Sequence, residues 1–373
     1  MRLVSLQIER FRNLARVALE PSPRATVLVG ENGQGKTNLL EAVFFLATLK
    51  PLRATRLAEL VQFGEPSARV AGDFDGPGGI RRVEVRVEAG GRTALLDGKP
   101  LGAGARLDEY FEGLASVCFS PDDLLLVKGG PDGRRRFADR AAFNRWPAVL
   151  GEARDYVRAL RSRNAALRSA GPPEVEASFR TPLVVAAARL LVRRRALVAE
   201  LAPRLAAAFR EISGPDAPAA LLEYRPAAGL RLEGSEGEIA ARLAEILAAR
   251  LERDRERGFT SAGPHADDLA LVLDGRGARA YGSQGQQRAL VLALKIAEIE
   301  NLRASLGRPP LLLLDDVSSE LDPAKNRYLL AYLAALPAQV FLTTTDRALV
   351  APAAGPGSAF LEVRGGVVSP LVS

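Results

Sequence analysis

The apolar positions of this 373-residue chain change rhythm several times, and each change marks an element. Residues 3–8 alternate like a strand, and residues 25–29 form a second strand that runs into a glycine-rich loop. Residues 37–49 turn apolar at helical spacing. Residues 68–97 read as a β-meander, with strands at 68–74, 83–87 and 93–96 punctuated by Gly76-Pro77-Gly78-Gly79 and Gly90-Gly91. From 134 to 213 the pattern is helical and rich in Arg, Ala and Leu, with Gly171-Pro172-Pro173 marking a turn between two helices. Another helix is expected over 236–257, with Ile239, Leu243, Ile246, Leu247 and Leu251 on one face. Residues 268–274 and 279–281 flank Gly275-Arg276-Gly277 and read as a hairpin. A helix over 286–306, a buried strand at 311–314 after Pro309-Pro310, and a second short strand at 340–343 complete the chain. Helix alternating with apolar strand in the last third implies a parallel sheet, hence an α/β fold. No internal repeat or low-complexity segment interrupts it.

Three segments in this frame carry chemistry. Gly30-Glu31-Asn32-Gly33-Gln34-Gly35-Lys36-Thr37 fits the phosphate-loop pattern G-x-x-x-x-G-K-[ST] and has the strand-loop-helix context that pattern needs. Its N–H groups, at a helix N-terminus, surround nucleotide phosphates, and Gly30, Gly33 and Gly35 allow the close approach a Cβ would block. Lys36 supplies a point charge for the β- and γ-phosphates, and the Thr37 hydroxyl is a Mg²⁺ ligand. Glu31, Asn32, Gln34 and Asn38 complete the expected nucleotide contacts. The second segment is Leu311-Leu312-Leu313-Leu314-Asp315-Asp316, an apolar strand ending in two carboxylates. Asp315 is expected to hold Mg²⁺ and Asp316 to polarise the attacking water. The third is Gly282-Ser283-Gln284-Gly285-Gln286-Gln287-Arg288 at the start of a helix. Ser283, Gly285 and Gln286 there offer a second anion-binding helix end, which suggests that a γ-phosphate held by Lys36 of one chain meets Ser283 of another.

Composition narrows the partners. Net charge is +7, and the chain holds 45 Arg but 6 Lys. Residues 134–213 hold 17 Arg and no Lys against 7 acidic residues, so this stretch carries a surplus of 10 and the remainder is net −3. A localised positive surface points to an anionic partner such as nucleic acid. Arg134, Arg135, Arg136, Arg161, Arg163, Arg193, Arg194 and Arg195 are the candidate DNA-contacting residues, and with few aromatics nearby, binding to backbone rather than to bases is expected. The apolar run at 39–49 contains Glu41 and is too short to span a bilayer, so no membrane partner is expected. Met1-Arg2 leads straight into a strand-like pattern, which speaks against a signal peptide. The single cysteine, Cys118, excludes an intramolecular disulfide, and a cytoplasmic protein is the simplest reading. His265, the one histidine, lies between Gly263-Pro264 and Asp267-Asp268 and reads as a turn or capping residue rather than an acid-base catalyst.

A phosphate loop, a Ser-x-Gly-Gln helix, an apolar strand with two acids and then Ser318-Ser319-Glu320-Leu321-Asp322 is the order found in ABC-type ATPase heads. Transporter heads place the signature much nearer the phosphate loop; here Ser283 lies 246 residues after Thr37, and the middle of the chain is compact, with no long heptad tract. In this it resembles the RecF family of DNA replication and repair proteins. Further segments carry the resemblance: Asn38-Leu39-Leu40-Glu41-Ala42 after the loop, Phe119-Ser120-Pro121-Asp122-Asp123-Leu124 with Val127-Lys128-Gly129, Arg134-Arg135-Arg136-Phe137 with Asp139, Arg161 with Arg163-Asn164, and Gly263-Pro264-His265 with Asp267-Asp268-Leu269.

The resemblance implies an ABC-type head of two lobes. Lobe I, α/β with an antiparallel subsheet, would comprise residues 1–130 and 260–373; a mainly helical, basic lobe II would comprise 131–259. It also implies ATP and Mg²⁺ as cofactors, an ATP-dependent homodimer, binding to single-stranded and gapped duplex DNA, and slow hydrolysis that resets the protein. Recombination mediator proteins would be partners in recombinase loading, and induction of the SOS response would follow. The other readings are an ATPase subunit of a nuclease or anti-phage complex, in which the nuclease would be a separate chain, and a transporter head, which the large basic insertion opposes. The chain departs from the ABC pattern in three places. Asp316 stands where a Glu is usual, Thr343-Thr344-Thr345 stands where a phosphate-sensing His is common, and Ala266 stands where family members often carry Arg.

Overall fold

A computed structural model of the chain describes residues 2–53, 56–76, 78–101, 110–111, 114–169 and 172–371. Pro77 and Gly171, in two of the expected turns, lie outside the described residues. The chain forms two compact units, one from Met1–Asp123 with Leu302–Ser373 and one from Leu124–Asn301.

The first unit holds two sheets. Strands β1 (Arg2–Phe11), β2 (Leu14–Leu19), β4 (Ser67–Gly76), β5 (Gly79–Glu88), β6 (Gly91–Leu96) and β7 (Lys99–Pro100) form an antiparallel sheet in the order β2-β1-β4-β5-β6-β7. The expected meander is therefore part of a larger sheet that also takes in β1 and β2. Leu3, Leu6, Ile8 and Phe11 of β1 are all fully buried, although Leu3 and Leu6 are out of phase for a regular strand. A register shift between Leu3 and Ser5 absorbs the extra residue and returns Leu6 to the core face.

The second sheet carries the chemistry. Strands β3 (Ala25–Val29), β8 (Ser116–Phe119), β12 (Leu311–Asp315), β13 (Val340–Thr344), β14 (Ala359–Arg364) and β15 (Val367–Pro370) run in the order β15-β14-β3-β13-β12-β8. From β14 to β8 every pairing is parallel, and only β15 runs antiparallel. Leu311 to Leu314 are buried on both faces, which is why this strand reads as an unbroken apolar run. The carboxyl ends of β3 and β12 both emerge toward the phosphate-loop helix, Lys36–Thr48. β2, β8 and the β14–β15 hairpin were not expected. They are short, and β14 and β15 expose several of their residues, which weakens the apolar signal.

The second unit is mainly helical. Its longest helix, Pro173–Ser213, runs 41 residues and is about 60 Å long. Leu183, Ala187, Leu190, Leu191, Leu197, Leu201 and Leu205 keep a buried stripe along it. It packs on the helix Val149–Arg168 and on Glu236–Ala249, whose Ser235 and Glu238 form a reciprocal capping box. The expected single helix over 236–257 is two helices, because the chain turns at Arg250 before Leu251–Arg257. That turn brings Asp254 inside, where it accepts bonds from Arg163 (2.9 Å) and from the Ser261 N–H (3.1 Å). Strands β9 (Ala220–Arg225), β10 (Asp268–Leu273) and β11 (Arg276–Gly277) form a small antiparallel sheet. The hairpin expected here is confined to its tip, where Asp274 and Gly275 both have positive φ. Residues 279–281 are not strand but the end of a helical turn, Ala278–Tyr281. β9 joins β10 across the Glu236–Ala249 region, so residues 260–301 group with the helical unit, not with the α/β unit as the expected boundaries had it.

Arg163 sits at the centre of the second unit with no exposed surface, bonding Glu176 (2.6 Å), Asp254 and Thr260 (2.8 Å). Removing it leaves buried Asp254 without its cation, while Glu176 keeps Arg180. Arg163→Ala is expected to lower unfolding stability by about 3–5 kcal/mol, measured by urea denaturation; a change under about 1 kcal/mol would mean the trio is solvated.

Candidate nucleotide site and the arginine-rich unit

The phosphate loop leaves β3 and is braced from both sides. Gly30 passes so close to β14 that a Cβ would lie 2.3 Å from the Val363 carbonyl oxygen. Gly33 (φ 81°) and Gly35 (φ 114°) take left-handed backbone that L side chains resist, and Gly35 caps the following helix. Gln34 is the anchor. Its carbonyl accepts the Gly366 N–H (2.9 Å) and the Asn13 amide (3.2 Å), and its side-chain oxygen accepts the Gly365 N–H (2.6 Å). Asn38 donates to the Asn13 side chain (2.8 Å). Two turns, one between β1 and β2 and one between β14 and β15, thus grip the loop.

The loop, Arg53, Pro121, Asp315, Asp316 and Thr343 line a cleft of about 370 Å³. Glu31, Asn32 and Gly33 are exposed at its crest, and Lys36 is buried at its base. The Lys36 ammonium donates to the carbonyls of Gly30 (2.5 Å) and Glu31 (2.8 Å). Burial lowers its pKa from the ordinary lysine value, and the carboxylates of Asp316 and Asp315 oppose that shift. Asp315, at the end of β12, is 2% exposed and fully engaged. Its Oδ1 accepts the hydroxyls of Thr37 (2.7 Å) and Thr343 (3.0 Å), and its Oδ2 pairs with Arg53 (2.5 Å). Thr343 also accepts the Asp316 N–H (2.9 Å). Asp316 holds left-handed backbone, φ 48°, a conformation that costs energy for a non-glycine residue and clusters at functional sites. Four segments far apart in sequence meet here, and Thr37, Asp315 and Asp316 lie together as the motifs require.

Sequence reasoning missed Arg53 and its support. Glu41, buried in the phosphate-loop helix, accepts the N–H groups of Leu52 and Arg53 (3.0 Å each) and the Arg12 guanidinium (2.9 Å). It fixes the backbone from which Arg53 reaches Asp315. A carboxylate inside an otherwise apolar helix was the available signal. Pro121, within the family-like segment at 119–124, also lines the cleft. Thr343 is the hydroxyl of the Thr343-Thr344-Thr345 stretch that lines it; Thr344 bonds Asp346 instead (2.8 Å).

The signature segment opens the helix Gln284–Leu306. Ser283 accepts the Gln286 N–H (3.2 Å), and Gln286 returns the bond to the Ser283 N–H (2.8 Å), a reciprocal cap. Gln287 is buried and donates to the carbonyls of Ala278 (3.1 Å), Arg279 (3.3 Å) and Gly282 (3.0 Å), fixing the approach to the helix. Ser283, Gln284 and Gly285 are exposed. This helix end is exposed and its cap is satisfied.

The family described as RecF/RecN/SMC N terminal domain matches residues 2–364. The DNA replication and repair protein RecF of Anaeromyxobacter sp. (strain K) is 80% identical over 373 residues, covering all of both chains. The chain belongs to the RecF family of DNA replication and repair proteins. Among solved structures it is similar to the recombination mediator protein RecF-ATP in the RecFOR pathway, at 28% identity and a TM-score of 0.90 over 100% of this chain and 98% of that one. It also shares its fold with the Pyrococcus furiosus Smc head domain, at 16% identity and a TM-score of 0.56 over 99% of this chain and 96% of that one. The fold is thus that of an ABC-type ATPase head, and no helix among the described residues is long and apolar enough to cross a membrane.

Most of the arginines that set this RecF-family chain's basic middle are spent on its own structure. Arg163, described above, and Arg194 are corrections to the set of DNA candidates. Arg194 is 4% exposed, bonding Asp139 (2.7 Å), the Pro264 carbonyl (2.6 Å) and Tyr224 (3.2 Å). Neither guanidinium reaches the surface. Arg134 makes a two-pronged bond to Asp268 (2.7 and 2.9 Å), Arg135 donates to the Asp267 carbonyl (2.6 Å), Arg193 pairs with Glu152 (3.1 Å), and Arg195 donates to the Gly234 carbonyl (3.1 Å). Arg136 and Arg161 are exposed. The motifs around 134–139, 161–164 and 263–269 therefore form one interlocked frame within the helical unit.

His265 belongs to that frame. Its Nε2 faces the Thr260 carbonyl (2.8 Å) and so carries the proton, and its Nδ1 accepts from the Tyr156 hydroxyl (2.5 Å). Burial lowers its pKa below the usual histidine value. A group held neutral in the fold adds stability above its unfolded pKa of about 6.5 and loses it as pH falls below that value. The thermal midpoint is therefore expected to drop between about pH 7 and pH 5.5, and to drop less for His265→Gln, which keeps a donor for Thr260. Equal pH profiles for the two proteins, by calorimetry, would remove His265 as the cause.

Proposed function

We propose that this chain is an ATP-switched DNA-binding protein of replication and recombinational repair, active as a homodimer. The observation that carries the reading is the bond between Thr37 and Asp315 at the base of the phosphate loop. It joins the two motifs that an ATPase of this class must bring together.

In this reading the loop N–H groups and Lys36 take the β- and γ-phosphates of ATP, with Asn38 at the start of the helix. Mg²⁺ suits the oxygens at the loop's base, since Thr37 and Asp315 present hard donors about one metal's reach apart and Mg²⁺ takes few protein ligands beside phosphates. When bound it supplies charge neutralisation at the transferring phosphoryl group. Asp316 receives or orients the attacking water. Its side chain is one methylene shorter than the usual Glu, consistent with slow turnover and a weak ATPase. Arg53 would have to give up Asp315 for that carboxylate to hold a metal. Ser283, Gly285 and Gln286 of a second chain close over the γ-phosphate, and the exposed, capped helix end supports that role. ATP then stabilises the dimer by its differential affinity for the closed state, hydrolysis releases it, and DNA binds the closed form. Single-stranded and gapped duplex DNA, recombination mediator proteins and a role in SOS induction follow from membership of the RecF family. The solved relative in the RecFOR pathway supports mediator partners.

Light scattering on a sizing column tests the switch. ATP is expected to convert the wild type from monomer to dimer, while Lys36→Ala and Ser283→Arg remain monomeric. A wild type that stays monomeric with ATP and DNA together sinks the proposal.

A further inference from the structure

The arginines of the helical unit divide into those used inside the fold and those left over. Arg134, Arg145, Arg163, Arg180, Arg193 and Arg194 each bond a carboxylate. Arg154, Arg158 and Arg161 do not; among the described residues they have no hydrogen-bond or ion-pair partner, and all three are exposed. They stand on one helix, Val149–Arg168, at spacings of four and three, so they share one face. The same face continues through exposed Ala165 to exposed Arg168, whose one bond, to the Gly258 carbonyl (3.3 Å), leaves its charge unneutralised. The carboxylates nearest in sequence do not cancel this stripe. Glu152 is tied to Arg193 (3.1 Å), and Asp155, three residues before Arg158 and beside it on the helix, forms no ion pair among the described residues.

We propose that the stripe Arg154–Arg158–Arg161, extended by Arg168, is a docking face for the sugar-phosphate backbone of DNA. This rests on the DNA-binding reading above and replaces the broad arginine set with one helix face. The three unpaired guanidiniums span about 10 Å of helix axis, at intervals of about 6 and 4.5 Å, and present three cations along one line to a phosphate backbone. Arginine on a rigid helix presents a planar fork suited to phosphate oxygens. On its own helix the stripe carries one exposed apolar side chain, Val157, and no exposed aromatic, and Phe179 of the neighbouring helix lines a groove with Arg158, so the contact is mainly to phosphate. An acidic protein surface would need the same positive charge, but the DNA-binding reading above already supplies a polyanion for this face.

The test is fluorescence anisotropy on a labelled gapped duplex, with ATP, across a salt series. Arg154→Gln/Arg158→Gln/Arg161→Gln is compared with wild type and with a charge-matched control, Arg2→Gln/Arg86→Gln/Arg225→Gln, which removes exposed arginines already paired with carboxylates. The stripe variant is expected to bind roughly tenfold to a hundredfold more weakly at about 0.1 M salt, with the slope of log K against log salt reduced by about 2 to 3. The control is expected to keep the wild-type slope. Arg158→Gln alone, the milder change, is expected to lower the slope by about 0.9. If wild type binds and the stripe variants match it in affinity and slope, the docking face is overturned, and the stripe passes to an acidic protein partner. If wild type itself binds no DNA, the DNA-binding reading fails with it.

Discussion

Everything at the nucleotide cleft hangs on one carboxylate. Asp315 is nearly without solvent and accepts bonds from Thr37, Thr343 and Arg53. A buried, ionised acid is costly unless its oxygens are satisfied, so its partners are constrained as tightly as it is. That constraint fixes the register of β12 against β13, seats the phosphate-loop helix at the end of β3, and draws the segment at Arg53 over the cleft. The four leucines before Asp315 follow from the same demand. A strand that must deliver a charge to a fixed point inside a sheet covered on both faces has to be apolar along its length.

Much of this was legible in the chain. The phosphate loop, the acidic strand and the Ser-x-Gly-Gln helix each join a local pattern to a local conformation, and each lies where its pattern implied. What was not legible is what depends on distant partners. Arg53 shows nothing in its neighbourhood that announces a role; only the Glu41 carboxylate, odd in an apolar helix, hinted that backbone nearby needed holding. β14 and β15 are short, half-exposed and glycine-linked, yet Gly365 and Gly366 complete the grip on Gln34. The hairpin at 274–275 was read too long because Arg279 and Tyr281 alternate like strand residues, whereas Gln287, several residues on, binds the carbonyls of Ala278 and Arg279 into a helical turn.

The arginines teach a related lesson. Charge counted along the sequence locates a basic unit but does not say which charges face outward. Arg163 and Arg194 look no different from Arg161 in the sequence, and burial separates them completely. Within the helical unit, planar guanidiniums bridge helices that differ in direction, because one such group can satisfy several carbonyls and carboxylates at once. Arg194 does this for Asp139, Pro264 and Tyr224 together. A chain that spends arginine this way has an internal scaffold of ion pairs whose loss is felt as unfolding rather than as weaker binding.

The grip on Gln34 has a consequence for how the protein comes into being. Its phosphate loop is made well before one of the turns that brace it, since Gly365 follows Gln34 by 331 residues, and β12 and β13 come late after the loop as well. Until that segment has been made, the loop can be held from one side only, by Asn13. The cleft is therefore completed only after β12, β13 and the β14–β15 turn have followed, long after its own loop.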